Sequence, residues 1–123
     1  MAEKKTILVV EDDPIAREGL NVILRRDGYE VVLAGNGEEA LAALHRQRPD
    51  LILLDMLMPV LDGWHFLQRV QEKALPAHTP VVVATSSTVI SREWAQAHGC
   101  AGFLRQPVEP DELLREVRRC LAR

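Results

Sequence analysis

Thr6-Ile7-Leu8-Val9-Val10 runs without a polar break into Glu11-Asp12-Asp13-Pro14. A strand with one wet face alternates apolar and polar residues, so this continuous run suits a parallel strand covered on both faces. Leu51 to Leu54 and Val81 to Ala84 have the same character, and Glu30 to Ala34 and Gly102 to Leu104 complete a set of five strand-sized runs. Segments with helical spacing lie between them. The first spans Pro14 to about Arg26, with Asp13 placed to cap it, Pro14 suited to its first turn, Ile15, Leu20, Ile23 and Leu24 expected on one side, and Gly28 ending it. The second starts at Asn36 and is expected to bury Ala40, Leu41 and Leu44. The third follows Asp62-Gly63 and repeats Phe66, Leu67 and Val70. The fourth is short and diluted, with Ile90, Trp94 and Ala97 on one face before Gly99. The fifth opens at Glu109-Pro110 and repeats Leu113, Leu114, Val117 and Leu121. Strand and helix alternate five times, which predicts an α/β fold: an open, doubly wound parallel sheet with helices on both faces.

Chemistry in such sheets gathers beyond the carboxyl ends of the strands. The first strand ends in Glu11-Asp12-Asp13 and the third in Asp55. Right-handed crossovers make these strands neighbours, so Glu11, Asp12 and Asp55 are expected to converge. Carboxylates that close repel one another unless a cation lies between them, and an all-oxygen set with few protein ligands suits Mg²⁺. The same acidic loop ends in Pro14, which has no N–H, and so excludes the Gly-rich phosphate cradle of a dinucleotide or flavin site. The fourth strand ends in Thr85-Ser86-Ser87-Thr88. Thr85 is within reach of a group attached to Asp55, whereas Ser87 and Thr88 read as a polar turn capping the fourth helix. Alternation puts Phe103 and Arg105 on one side of the fifth strand, with Leu104 and Gln106 on the other.

With 123 residues, the chain has room for one domain, expected to span 1–123. Fifteen Lys and Arg against 18 Asp and Glu give a formal charge of −3, which argues against direct nucleic-acid binding. Two cysteines make neither a disulfide framework nor a zinc site. No apolar run is long enough to insert in a membrane, and the charged N-terminus does not read as a signal peptide, so a cytoplasmic location is expected.

Taken together these residues resemble the receiver domain of bacterial two-component response regulators. The resemblance is carried by Ile7-Leu-Val-Val-Glu11-Asp12-Asp13-Pro14, by Pro49-Asp-Leu-Ile-Leu-Leu-Asp55-Met-Leu-Met-Pro59 with Asp62-Gly63, by Pro80-Val-Val-Val-Ala-Thr85, and by Gly99-Cys-Ala-Gly-Phe103-Leu-Arg-Gln106-Pro107. It covers about Ile7 to Leu121. The resemblance implies a flavodoxin-like sheet in the order 2-1-3-4-5, with Asp55 accepting a phosphoryl group from a sensor histidine kinase or a histidine phosphotransfer protein. It further implies Mg²⁺ held by Asp12, Asp55 and the backbone carbonyl of Leu57, with Glu11 completing the shell. Thr85 would bind a phosphoryl oxygen, Phe103 would turn as the switch aromatic, and a downstream target protein would read the fourth helix, fifth strand and fifth helix. A cis bond before Pro107 is also implied.

One position departs from that pattern: Gln106 stands where the family has Lys. This keeps open an alternative, a pseudo-receiver that acts as a phosphorylation-independent interaction module. A Mg²⁺-dependent phosphatase with an aspartyl nucleophile is disfavoured, because such an enzyme wants an Asp two residues after the nucleophile, where Leu57 stands. Protein contacts, rather than turnover of a metabolite, are therefore the expected output. With Arg123 its last residue, the sequence suits a stand-alone regulator or the receiver portion of a longer protein.

Of the other residues, His45, His65, His78 and His98 lack ligand spacing and read as surface or half-buried. Trp64 and Phe66 read as packing residues of the third helix. Trp94 reads as an exposed partner anchor, and Met56 to Leu61 as a partly exposed apolar loop.

Overall fold

The protein is described by a computed structural model covering residues 4–56, 63–72 and 79–122. Its elements are β1 (Thr6–Val10), α1 (Pro14–Arg26), β2 (Glu30–Ala34), α2 (Gly37–Arg46), β3 (Leu51–Asp55), α3 (Gly63–Glu72), β4 (Val81–Thr85), α4 (Arg92–Ala97), β5 (Gly102–Arg105) and α5 (Pro110–Leu121). The five strands form one parallel sheet in the order β2-β1-β3-β4-β5. Three strands run one residue beyond their apolar stretches, because the pairings Asp55↔Ala84 and Thr85↔Arg105 continue the ladder. Asp55 thus leaves from ordered strand backbone, whereas Glu11, Ser86 and Gln106 each follow directly after a strand.

Alternation along the buried strands divides the core in two. Leu8, Val10, Ile52, Leu54 and Val83 pack with Phe66, Leu67 and Val70 of α3 and Ala95 of α4. Ile7, Val9, Leu51, Leu53, Val82 and Leu104 pack with Leu24 of α1 and Leu113 and Val117 of α5. Asp13 caps α1 by accepting from the Ile15 and Ala16 N–H groups, and Asn36 caps α2. Gly28 and Gly99 follow α1 and α4 with φ of +96° and +80°, a region that favours glycine. The Gln106–Pro107 bond is cis. Cys100 and Cys120 are buried and unbridged. No helix among the described residues is long and apolar enough to cross a membrane.

Some expectations need correction. Ile15 is 84% exposed; it stands five residues before Leu20, which at about 100° per residue turns it roughly 140° from that side chain. On α2, Gly37, Ala40 and Ala43 are the buried residues, with Leu41 and Leu44 only partly covered. Ser91, not Ser87 or Thr88, caps α4, accepting from the Trp94 N–H, and α4 starts only at Arg92, so Ile90 precedes it. Trp94 is no exposed anchor: it is half-buried, stacked on His98 at 4.0 Å and edge-on to Trp64 at 5.7 Å. The i,i+4 partner and a ring from α3 provide the company its alanine neighbours do not. Trp64 and Phe66 do pack, and His45 and His65 are exposed while His98 is half-buried. Leu57 to Asp62 and His78 lie outside the described residues, and with them most of the apolar loop and the Leu57 carbonyl.

Candidate functional site

The alternation that sends Ile7 and Val9, Leu51 and Leu53, and Leu104 toward α1 and α5 continues past the strand ends to Glu11, Asp55 and Gln106. Oxygen atoms of Glu11, Asp12 and Asp55 lie within 4.8 Å of one another. They border a cleft of about 570 Å³, floored by Leu53 and Ala84 and walled by Ala16 and Leu20 on α1 and by Gln106, Pro107 and Val108 after β5. Glu11 is 4% and Asp55 8% exposed, with Asp12 half-buried.

Such burial of paired acids has an electrostatic consequence. Desolvation, opposed by a hydrogen bond from the Asp13 N–H and reinforced by the Asp55 and Asp12 carboxylates, pushes Glu11 from 4.5 up to about 8. The Asp13 N–H reaches Glu11 Oε2 at 3.2 Å, and Gln106 Nε2 donates to Glu11 Oε1 at 3.4 Å. Gln106 therefore points into the acidic cleft, but it brings a dipole and not a charge. Its own N–H donates to the Thr85 carbonyl at 3.0 Å.

Arg105 aims the other way. Its guanidinium bonds the Ser87 and Ile90 carbonyls and covers the Phe103 ring, 4.9 Å from the centroid. Phe103 is buried, with the Arg92 guanidinium 5.9 Å from its centroid. Thr85 is fully buried but does not line the cleft: its hydroxyl oxygen accepts from the Ser87 N–H at 3.1 Å, and Ser86 takes the place at the rim.

A cation the spacing did not disclose stands behind the acids. Arg17 Nη1 donates to the Glu11 carbonyl at 2.9 Å and reaches the Asp12 carbonyl at 3.5 Å, tying the acidic loop to α1. The available signal was a basic residue in the second turn of a helix that begins at that loop. No periodicity indicates that its guanidinium folds back onto carbonyls.

The donor set suits a small divalent cation. It is all oxygen and grouped within 4.8 Å, a little wider than the separation of about 4.2 Å that two oxygens on one ion reach at Mg–O distances of about 2.1 Å, so a small inward movement of the side chains would bring them onto one ion. A dication would also replace the proton that burial otherwise holds on Glu11.

Comparison with known proteins agrees with this arrangement. The family model described as the response regulator receiver domain matches residues 7–118. The response regulator Rre1 of Synechocystis sp. is 39% identical over 125 residues, covering all of this chain, which in turn spans about half (54%) of that protein. The chemotaxis response regulator CheY4 of Vibrio cholerae superposes with a TM-score of 0.86 at 33% identity, covering 96% of this chain and 99% of that one. The receiver domain of a sensor histidine kinase from Pseudomonas aeruginosa PAO1, with a magnesium ion coordinated in its active site cleft, gives 0.87 at 30% identity, covering 98% of this chain and all of that one. By fold, by the grouping of its acidic residues and by sequence from Ile7 to Arg118, the chain belongs to the response regulator receiver domain family.

Proposed function

We propose that Asp55 accepts a phosphoryl group from a phosphohistidine carried by a sensor histidine kinase or a histidine phosphotransfer protein, and that the chain is a cytoplasmic signalling switch rather than a metabolic enzyme. The observation that supports this is the convergence of Glu11, Asp12 and Asp55 on one cleft in a receiver-family chain. An Asp55 oxygen attacks phosphorus in line; the O–P bond forms as the N–P bond breaks, and the electron pair leaves with the imidazole. Catalysis of such a transfer is mostly positioning and charge neutralisation. Asp12 and Asp55 would hold Mg²⁺ directly, with Glu11 completing the shell, and the ion when bound would supply charge neutralisation. Arg17 keeps the acidic loop in place, and Gln106 donates an amide hydrogen bond. Thr85, whose hydroxyl oxygen accepts from the Ser87 N–H, would donate its O–H to a phosphoryl oxygen, and Phe103 follows it, carrying the change to α4, β5 and α5 for a downstream protein to read. Gln106 also supports a second reading, in which the domain docks partners without being phosphorylated.

Incubation with Mg²⁺ and a small acyl phosphate, followed by intact-mass measurement, tests the first reading. A phosphoryl mass gain is expected, and its loss in Asp55→Ala. No gain in the parent protein favours the second reading and removes the first.

Magnesium and pH are coupled through Glu11. Below about 4.5 this carboxyl is protonated in folded and unfolded chains alike; between there and about 8 only the fold retains the proton. The metal-free protein is therefore expected to lose stability as pH rises through that window. Magnesium binding displaces the same proton, so its apparent affinity should rise up to about tenfold per pH unit and level off near the upper limit. Thermal melts with Mg²⁺ and with chelator from pH 5.5 to 8.5 measure both effects, and a magnesium-induced shift of constant size across that range would contradict the assignment.

A further inference from the structure

We propose that Arg17 is a positioning residue for the acidic loop, and that the β2–α2 turn, through Gly35 and Glu39, sets where its guanidinium stands and so how tightly the cleft takes magnesium. This rests on the cleft being the magnesium site of the switch reading, and adds the groups that shape it. Glu11, Asp12 and Asp13 join β1 to α1, and three successive carbonyls of that loop meet one residue. Arg17 Nη1 donates to the Glu11 carbonyl at 2.9 Å and reaches the Asp12 carbonyl at 3.5 Å, while the Arg17 backbone N–H donates to the Asp13 carbonyl at 2.9 Å. Pro14, next in the chain, has no N–H to offer them. From β2 the loop is held as well, since the Glu11 N–H donates to the Ala34 carbonyl at 3.0 Å.

The guanidinium bonds main-chain oxygens, so it fixes the backbone that carries two of the carboxylates without pairing with those carboxylates. Its own place is set from the neighbouring turn. Glu39 Oε1 accepts from the Gly35 N–H at 2.6 Å, and the Glu39 N–H donates to Asn36 Oδ1 at 2.8 Å. Reciprocal bonds of this kind anchor a carboxylate at a helix start. A Cβ on Gly35 would stand 3.1 Å from Arg17 Nη1 and 3.2 Å from Glu39 Oε1. The bare glycine thus leaves room for cation and carboxylate to approach each other over the turn, and their attraction keeps Arg17 against the loop.

Two effects of Arg17 on a bound dication oppose each other. Its charge repels the ion, whereas its grip on the loop keeps Glu11 and Asp12 turned toward Asp55. Groups that orient metal ligands typically change affinity by about 10–100-fold. Repulsion at the mouth of an open cleft is screened by water and salt, so positioning outweighs it.

The test titrates magnesium alone into the full chain by calorimetry at one fixed pH. Arg17→Met is expected to weaken binding about tenfold, and Arg17→Lys by less, because an ammonium still reaches one carbonyl. Gly35→Ala leaves every charge and donor in place but pushes the guanidinium aside by a few tenths of an ångström. It is expected to weaken binding roughly threefold in the parent and no further in Arg17→Met, since the alanine acts through Arg17. Thermal melts in chelator establish that each variant folds; should Arg17→Met not fold, Arg17→Lys and Gly35→Ala carry the test. An Arg17→Met variant that binds magnesium as tightly as the parent, or tighter, overturns the proposal. So does an equal loss from Gly35→Ala with and without the guanidinium, or a parent without magnesium affinity. Phosphorylation of Asp55 is read separately by mass in the same samples. Affinities that follow Arg17 without a mass gain sink the phospho-acceptor and spare the brace, and a mass gain with affinities indifferent to Arg17 does the reverse.

Discussion

Gln106→Lys is expected to raise the rate of Asp55 phosphorylation by a small phosphodonor about tenfold. The Gln106 amide already points at the acidic cleft, 3.4 Å from Glu11 Oε1, so a Lys ammonium at this position enters the same space without a new backbone path. A neutral hydrogen bond contributes a net of about 0.5–1.5 kcal/mol and one to a charged group about 1.5–3, and the difference of roughly 1–1.5 kcal/mol corresponds to that factor. The added charge acts on Glu11 as well. An ammonium beside this carboxyl opposes the desolvation that holds it near 8, so the pH at which the cleft ionises should fall. The rate profile against pH then moves to lower pH together with the gain in rate. A variant no faster than the parent at any pH would mean that the missing charge is supplied by another group.

Gly63→Ala is expected to cost about 3 kcal/mol of stability, and to lower the thermal midpoint by about 10 °C. Two effects compete. Alanine favours helix over glycine by about 1 kcal/mol, and Gly63 is the first residue of α3. Against that, a Cβ would stand 2.4 Å from Met56 Cα and 2.6 Å from the Asp55 carbonyl oxygen. Both obstacles are backbone, so no side chain can swing aside, and steric overlap outweighs propensity. The Gly63 N–H also donates to the Met56 carbonyl at 3.1 Å, pinning α3 to the end of β3. Relief of the clash must move the backbone that carries Asp55, so phosphoryl acceptance should drop along with stability. Calorimetry and the mass assay on one sample measure both. An alanine variant as stable as the parent would show that the close approach is not maintained in solution.

Much of this site was legible because β1, β3 and β4 are buried on both faces. Unbroken apolar runs mark such strands, and the first polar residue after the β1 and β3 runs stands at the cleft, whereas after β4 it is the second, Ser86. Glu11 and Asp55 follow directly, and strand parity correctly separated Gln106 from Arg105. Helix surroundings were harder to read. The stacking of Trp94 depends on a ring contributed by α3, and Arg17 bends its side chain back onto two carbonyls. Neither leaves a periodic trace in the chain. Ile15 resembles a member of the nearest apolar stripe because it is apolar and close to the helix start, whereas the turn angle puts it on another, exposed side. Thr85 shows a subtler limit. Its place at a strand end was readable, but its engagement with the Ser87 N–H is a tertiary detail of the following turn.

Both tryptophans of the chain, Trp64 and Trp94, stand in one aromatic group with His98, where α3 meets α4. An unlabelled sample therefore carries a built-in optical gauge whose emission originates in a single neighbourhood. Light collected from it reports on the α3–α4 flank, where the proposed switch would carry the change that starts at Asp55, without a dye or a tag.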